Sequence, residues 1–200
     1  MGKIFYLMGK SSTGKDTIYR ELLGQSDQER LCAIVPYTTR PIRAGEQEGR
    51  EYHFVHEEEF QRLLSEGKVI EHREYQTFHG IWRYFTVDDG QFALDEEQNY
   101  IMIGTLEGYT SMQKYFGKEL IVPVLIELDD GIRLQRALNR EKKQEQPKYQ
   151  EMCRRFLADS EDFAEARIQE AGIERRFQNE NLKICLAEIT DYIFWQNKPK

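Results

Sequence analysis

The sequence predicts an α/β fold: a parallel sheet flanked by helices on both faces, with a small mixed α/β insertion and a lid. Apolar runs at residues 3–8, 31–36, 100–103 and 120–128 have the length of buried strands. Stretches with helical spacing at 17–23, 106–116, 131–140, 149–171 and 181–194 alternate with them, the pattern of a covered parallel sheet. The interval 37–90 breaks that rhythm with short strands at 52–55, 69–75 and 82–85 around one helix at 57–66. Such an excursion belongs at the carboxyl edge of a parallel sheet, where α/β folds bind ligands.

Each element has a local reason. The first run, Lys3 to Met8, is short and largely apolar, so it reads as the first buried strand rather than a secretory signal. The helix at 149–171 carries Met152, Phe156, Ser160 and Phe163 at helical spacing, a stripe read as core. Before it, residues 141–148 are charged and interrupted by Pro147, which predicts an exposed loop between two helices. The chain is therefore expected to be one domain, with a core of 1–36 and 91–200, an insertion of 37–90 and a lid of 139–156.

Composition narrows the function. Two hundred residues with 40% apolar and 32% charged side chains suffice for one sizeable core. A net charge of −7 argues against a nucleic-acid partner, which calls for a basic face. No apolar run is long enough to span a bilayer. Cys32, Cys153 and Cys185 have neither metal-ligand nor redox spacing and are expected to be reduced thiols in a cytoplasmic protein.

The first strand runs directly into Gly9-Lys10-Ser11-Ser12-Thr13-Gly14-Lys15-Asp16-Thr17. Glycine, four residues, glycine and lysine is the spacing of a phosphate-binding loop, in which backbone N–H groups converge on an anion and the lysine adds a charge. The helix that follows points its positive end at the same place. ATP is the expected ligand, held by Gly9, Ser11, Ser12, Thr13, Gly14, Lys15, Asp16 and Thr17. The fold expectation thus sharpens to a P-loop NTPase-type parallel sheet. Where a hydroxyl commonly follows the lysine, Asp16 stands, with Thr17 next. That carboxylate either helps hold Mg²⁺ or caps the helix, and the two roles are compatible.

A second cluster follows: Thr38-Thr39-Arg40-Pro41-Ile42-Arg43-Ala44-Gly45-Glu46, then Gly49-Arg50-Glu51-Tyr52-His53-Phe54. Two guanidinium forks can clamp a dianionic phosphate, a phenol adds a directional donor, and Pro41 restrains the turn between the arginines. With these residues the chain resembles the guanylate kinase family, enzymes that move a phosphoryl group from ATP to GMP. The resemblance implies a P-loop kinase core with a nucleoside-monophosphate-binding insertion and a lid. It implies that Arg40, Arg43 and Tyr52 hold the acceptor phosphate and that Glu71 accepts hydrogen bonds from guanine. Arg136, Arg140 and Arg155 resemble lid arginines that approach the ATP phosphates, and Asn179 resembles a nucleotide-side asparagine near the final strand. Mg²⁺ with ATP is the implied cofactor. Lys15 and the five arginines Arg40, Arg43, Arg136, Arg140 and Arg155 form the implied catalytic set.

The chain departs from the family pattern around the base. Pro36 stands for a serine, His79 for a tyrosine, Ile81 for a hydroxyl residue, and the strand ending at Ile103 lacks the family's acidic residues. His79 and Thr105 are the substitutes expected near the acceptor, and Asp16 and Thr17 the expected metal ligands. Two alternatives stay open at this point: a kinase for another small phosphorylated acceptor such as a ribose bisphosphate, and a non-catalytic phosphopeptide-binding module.

Overall fold

The computed structural model describes residues 2–24, 31–43, 45–77, 80–94 and 98–197. Its main sheet contains five parallel strands: β1 (Ile4–Met8), β2 (Leu31–Ala33), β7 (Asn99–Ile103), β8 (Ile121–Glu127) and β9 (Arg176–Gln178), in the order β2-β7-β1-β8-β9. Successive residues of β1 enter opposite cores, as the two-residue period of a strand requires. Ile4, Tyr6 and Met8 meet α3 (Leu106–Phe116) and α6 (Glu165–Glu170) through Tyr109, Met112 and Ile168. Phe5 and Leu7 meet α1 (Lys15–Gly24) and α7 (Leu182–Gln196) through Ile18, Leu22, Cys185 and Ile189.

The second sheet, order β4-β3-β6-β5, lies within the interval expected to be an insertion. Its strands are β3 (Tyr37–Thr38), β4 (His53–Phe54), β5 (Val69–Thr77) and β6 (Gly80–Val87). One face packs on α2 (Glu57–Ser65), where Phe60, Leu63, Phe85 and Val87 form a small core. The alternation of β5 leaves Glu71, Arg73 and Tyr75 on the other face, opposite Thr86, Tyr84 and Trp82 of β6.

Three expectations need correction. The run 31–36 forms only a three-residue strand: Val35 N–H leaves the ladder for Gln91 Oε1 at 3.0 Å, and Pro36 has no N–H to offer. A short final strand, β9, extends the sheet through one buried aromatic, Phe177. The helix expected at 149–171 is two helices, α5 (Tyr149–Asp162) and α6. Phe163 and Ile168 are both buried in the same cluster, yet five residues of continuous helix would set them about 140° apart. A turn at Phe163 resolves that conflict. The Met152, Phe156 and Ser160 stripe is accordingly half-buried rather than core, with Phe156 lying under the Arg133 guanidinium of α4 (Asp130–Glu141) at 4.6 Å.

Candidate active site

The glycine loop leaves the carboxyl end of β1, the central strand, and closes onto the first turn of α1. Gly9 and Gly14 both have positive φ (154° and 94°), and neither has room for a side chain. A Cβ at Gly9 would collide with the carbonyl oxygen of Ile126, and one at Gly14 with Nδ2 of Asn179. Ser12, between them, takes the left-handed conformation at φ 67°, which a tightly curled loop imposes. Thr13 braces the curl by donating from Oγ1 to the Lys10 carbonyl at 2.9 Å, and Gly14 O accepts from Thr17 and Ile18 N–H. Lys15 opens α1 half-buried, and Asp16 beside it is exposed.

Asn179 lies against this loop. It is 2% exposed, donates from Nδ2 to Thr13 O at 2.7 Å, and its own carbonyl accepts from Arg136 Nη2 at 3.3 Å. Arg136 therefore lies beside Gly14. Arg140, one turn further along α4, is exposed. Arg155 is exposed on α5 and pairs with Glu151 at 2.9 Å.

Two residues that sequence reasoning missed hold the loop from the other side. Asp159 Oδ2 accepts from Ser11 N–H at 2.7 Å, and Arg133 donates from Nη1 to Ser11 O at 2.9 Å. Arg133 is fully buried and also meets Asp159 at 3.3 Å and Asp130 at 2.9 Å. A fully buried arginine demands such partners. The available signal was its place three residues after Asp130 and four before the buried Ala137, on the inward face of α4.

The second sheet carries the other candidate residues. Arg40 is 3% exposed, and its fork is engaged by Glu46, with both N···O distances 2.9 Å; it also donates to Pro41 O at 2.8 Å. It lies over the rings of Tyr52 and Phe54 at 5.3 and 5.5 Å. Burial works against the Arg40 charge, but Glu46 and the neighbouring Tyr84 outweigh it and raise the guanidinium above its ordinary value. In return, the hydrogen bond from Arg40 holds the Glu46 carboxyl below the usual range. Tyr52 is pushed up, first by burial and then by Tyr84. Arg43 is exposed, its backbone N–H tied to Glu46 Oε2 at 2.8 Å. The Glu46 tether was not read from the sequence.

This sheet meets the core at the end of β7. Glu71 is buried, accepts from Thr86 Oγ1 at 2.8 Å and packs over Gly108 at the start of α3. Arg73 Nη1 donates to Thr105 Oγ1 at 3.3 Å, and Thr105 in turn caps α3 by accepting from Gly108 N–H. Leu7 pairs with Ile103 in the parallel ladder, so Gly9 and Thr105 each lie two residues beyond that pair, just past the ends of adjacent strands. A cavity of about 820 Å³ opens between β5 and the start of α3, lined by Arg73, Tyr75, Thr105 and Lys114 among others and by no residue of the glycine loop. His79 lies outside the described residues. Ile81 is exposed and Ile103 half-buried. Among the described residues no cluster of three acidic, histidine or cysteine side chains is placed to cage a metal.

A parallel sheet with a glycine loop at the carboxyl end of its central strand, and a second sheet that meets the core at the neighbouring strand end, defines a P-loop nucleotide-binding protein. The guanylate kinase family model matches residues 1–82. Over 194 residues the chain is 30% identical to guanylate kinase of Anaplasma phagocytophilum (strain HZ), covering 96% of this chain and 78% of that protein. Identity to guanylate kinase of Porphyromonas gingivalis (strain ATCC BAA-308 / W83) is 29% over 194 residues, covering 94% and 95%. The crystal structure of guanylate kinase from Anaplasma phagocytophilum shares the fold, with a TM-score of 0.70 at 22% identity, over 100% of this chain and 88% of that one. The chain belongs to the guanylate kinase family.

Proposed function

We propose that this protein transfers the γ-phosphoryl group of ATP to GMP or dGMP, giving GDP or dGDP. The observation that carries the reading is the meeting of two anion-binding elements at one sheet edge. The glycine loop leaves β1, and the sheet bearing Arg40, Arg43 and Tyr52 reaches the adjacent strand end through Arg73 and Thr105.

Phosphoryl transfer asks a protein for alignment and charge compensation more than for covalent chemistry. The N–H groups of Ser12, Gly14 and Lys15 and the Lys15 ammonium bind the ATP phosphates, with Asp159 on Ser11 N–H and Asn179 on Thr13 O keeping the loop in shape. Arg43 and Tyr52 hold the acceptor phosphate, and Arg40, fixed by Glu46, orients the segment and adds its field. Arg136 stands beside Gly14, where charge develops on the transferring group, and Arg140 and Arg155 join it when the 139–156 lid closes and excludes water. Mg²⁺, when bound with ATP, offsets phosphate charge. The Asp16 carboxylate and Thr17 hydroxyl at the start of α1 are the hard oxygens that would hold it, which suits an ion that takes few protein ligands and keeps water and phosphate. A cytoplasmic setting fits the three free thiols.

A coupled ADP-release assay with MgATP across GMP, dGMP, AMP, CMP, UMP and ribose 1,5-bisphosphate tests the reading. GMP and dGMP are expected to give the highest kcat/KM, and Arg43→Ala to abolish acceptor-dependent turnover while ATP binding survives. Highest turnover with the sugar phosphate would move the chain to the rival kinase class. Absence of MgATP binding by calorimetry would make it a binding module.

A further inference from the structure

We infer that Arg133 is a positioning residue for phosphoryl transfer, one that sets the helix carrying Arg136 against the phosphate loop; the inference rests on the role proposed above for Arg136. Arg133 is fully buried, so its guanidinium is withdrawn from any nucleotide. Its Nε donates to Asp130 Oδ1 at 2.9 Å, and the same oxygen meets Lys10 Nζ of the loop at 3.4 Å. Nη1 donates to Ser11 O at 2.9 Å and to Asp159 Oδ2 at 3.3 Å. Asp159 Oδ2 also accepts from Ser11 N–H at 2.7 Å, so both backbone polar groups of one loop residue are engaged. One nitrogen thereby joins the loop to α5, while the guanidinium lies over Phe156 of the same helix at 4.6 Å.

The helical repeat carries this anchor to Arg136. Three residues along an α-helix amount to about 4.5 Å of rise and about 60° of rotation, so Arg133 and Arg136 stand on neighbouring lines of one face. Helix α4 therefore meets the loop at two levels. Arg133 holds Ser11, and Arg136 stands beside Gly14, with its Nη1 3.9 Å from the place a Gly14 Cβ would take. The two arginines divide the work. Arg133 faces two carboxylates and has no exposure, which leaves it no charge to offer an anion. Arg136 is exposed and, among the described residues, is held by the Asn179 carbonyl at 3.3 Å rather than by a carboxylate. Its charge stays open to the ATP phosphates, and Arg133 fixes where it stands. A misplacement of about 1 Å at a reacting centre can cost roughly 100-fold in rate, so this anchor bears on kcat.

The experiment is a double-mutant cycle of wild type, Arg133→Met, Arg136→Ala and the double variant, assayed with MgATP and GMP. Arg133→Met should lower kcat by roughly 10–100-fold while KM for GMP moves less than about twofold. In the Arg136→Ala background the same substitution should lower kcat by less than about threefold, because the residue it positions is gone. A merely structural role would cost the same factor in both backgrounds. Arg133→Lys keeps a charge between Asp130 and Asp159 but lacks the planar fork, so it should recover only part of kcat. The cycle is run with Arg133→Lys if Arg133→Met does not fold. Equal losses in both backgrounds, an unchanged kcat, a change confined to KM for GMP, or full recovery by lysine would overturn the inference. GMP turnover with equal losses leaves the proposed function standing and removes the inference alone. If the wild type phosphorylates a different acceptor, the GMP reading fails and the cycle is read on that acceptor. If it phosphorylates none, the cycle is read from MgATP affinity by calorimetry. There, a loss that vanishes in the Arg136→Ala background supports the inference and equal losses refute it.

Discussion

Replacing Asp159 by alanine tests whether α5 holds the phosphate loop. The substitution removes the acceptor of Ser11 N–H and one of the two carboxylates facing buried Arg133. Hydrogen bonds to a charged group contribute roughly 1.5–3 kcal/mol each, and breaking a buried ion pair costs about 3–5 kcal/mol when the survivor has no other partner. Arg133 retains Asp130 at 2.9 Å and Ser11 O at 2.9 Å, so the net loss belongs near the lower bound, about 2–4 kcal/mol. At roughly 2–4 °C per kcal/mol for a chain of this size, Tm falls by about 4–16 °C. Because Ser11 lies within the loop, KM for ATP should rise as well, and Asp159→Asn, which keeps an acceptor but loses the charge, should fall between. Thermal unfolding followed by circular dichroism, with ATP kinetics at a fixed acceptor concentration, measures both. A Tm unchanged within about 1 °C would contradict the energy assigned to this contact. A lower KM for ATP in Asp159→Ala would show that the carboxylate competes with phosphate rather than supporting the loop.

Gly14→Ala combines a positive φ of 94° with a Cβ directed into Asn179 Nδ2; strain of about 1–3 kcal/mol should reduce ATP affinity roughly tenfold or more by calorimetry, with the far-ultraviolet spectrum retained. Thiol titration of the native protein should find two reactive cysteines, Cys32 and Cys153, and a third only after denaturation, since burial pushes the Cys185 thiol up to about 11. The Arg40–Glu46 pair sets a pH dependence: Glu46 has a depressed folded-state pKa, so its stabilisation is complete above the unfolded value of about 4.3 and is lost as pH falls through the lower folded value. Urea unfolding should therefore show Glu46→Gln less stable than wild type at pH 7, with the gap narrowing towards pH 3; a gap that is constant across that range would disprove the linkage.

The parts of the site visible in the sequence are those in which residue type dictates local backbone. Gly9 and Gly14 stand where no side chain fits, and Arg40, Pro41, Arg43 and Tyr52 form a compact segment whose spacing carries its meaning. Glu46 lies within that segment, yet its ion pair was unreadable because a nearby glutamate has many destinations. Asp159 was less accessible still: its partner Ser11 is 148 residues away, and only the packing of α5 on α4 joins them. Arg73 sits two residues from Glu71, on the same face by simple alternation, so strand period alone could have flagged it. The expected core stripe on α5 failed for a related reason. Apolar spacing reports that a face is covered, whereas here the cover is Arg133, and no residue of α5 is buried.

Three donor groups of the site share one arrangement: each meets a carboxylate of the chain itself. Ser11 N–H meets Asp159, Arg40 meets Glu46, and Arg73 meets Glu71. A buried or half-buried cation without a counter-charge would carry a large desolvation penalty, so these carboxylates permit the guanidinium groups to be held in place within the fold. The same pairing reduces what any anion can gain, because a newcomer adds to a local charge already offset. Arg40, with its fork on Glu46, is therefore better suited to orienting than to gripping, and the exposed Arg43 should contribute more of the acceptor-phosphate affinity.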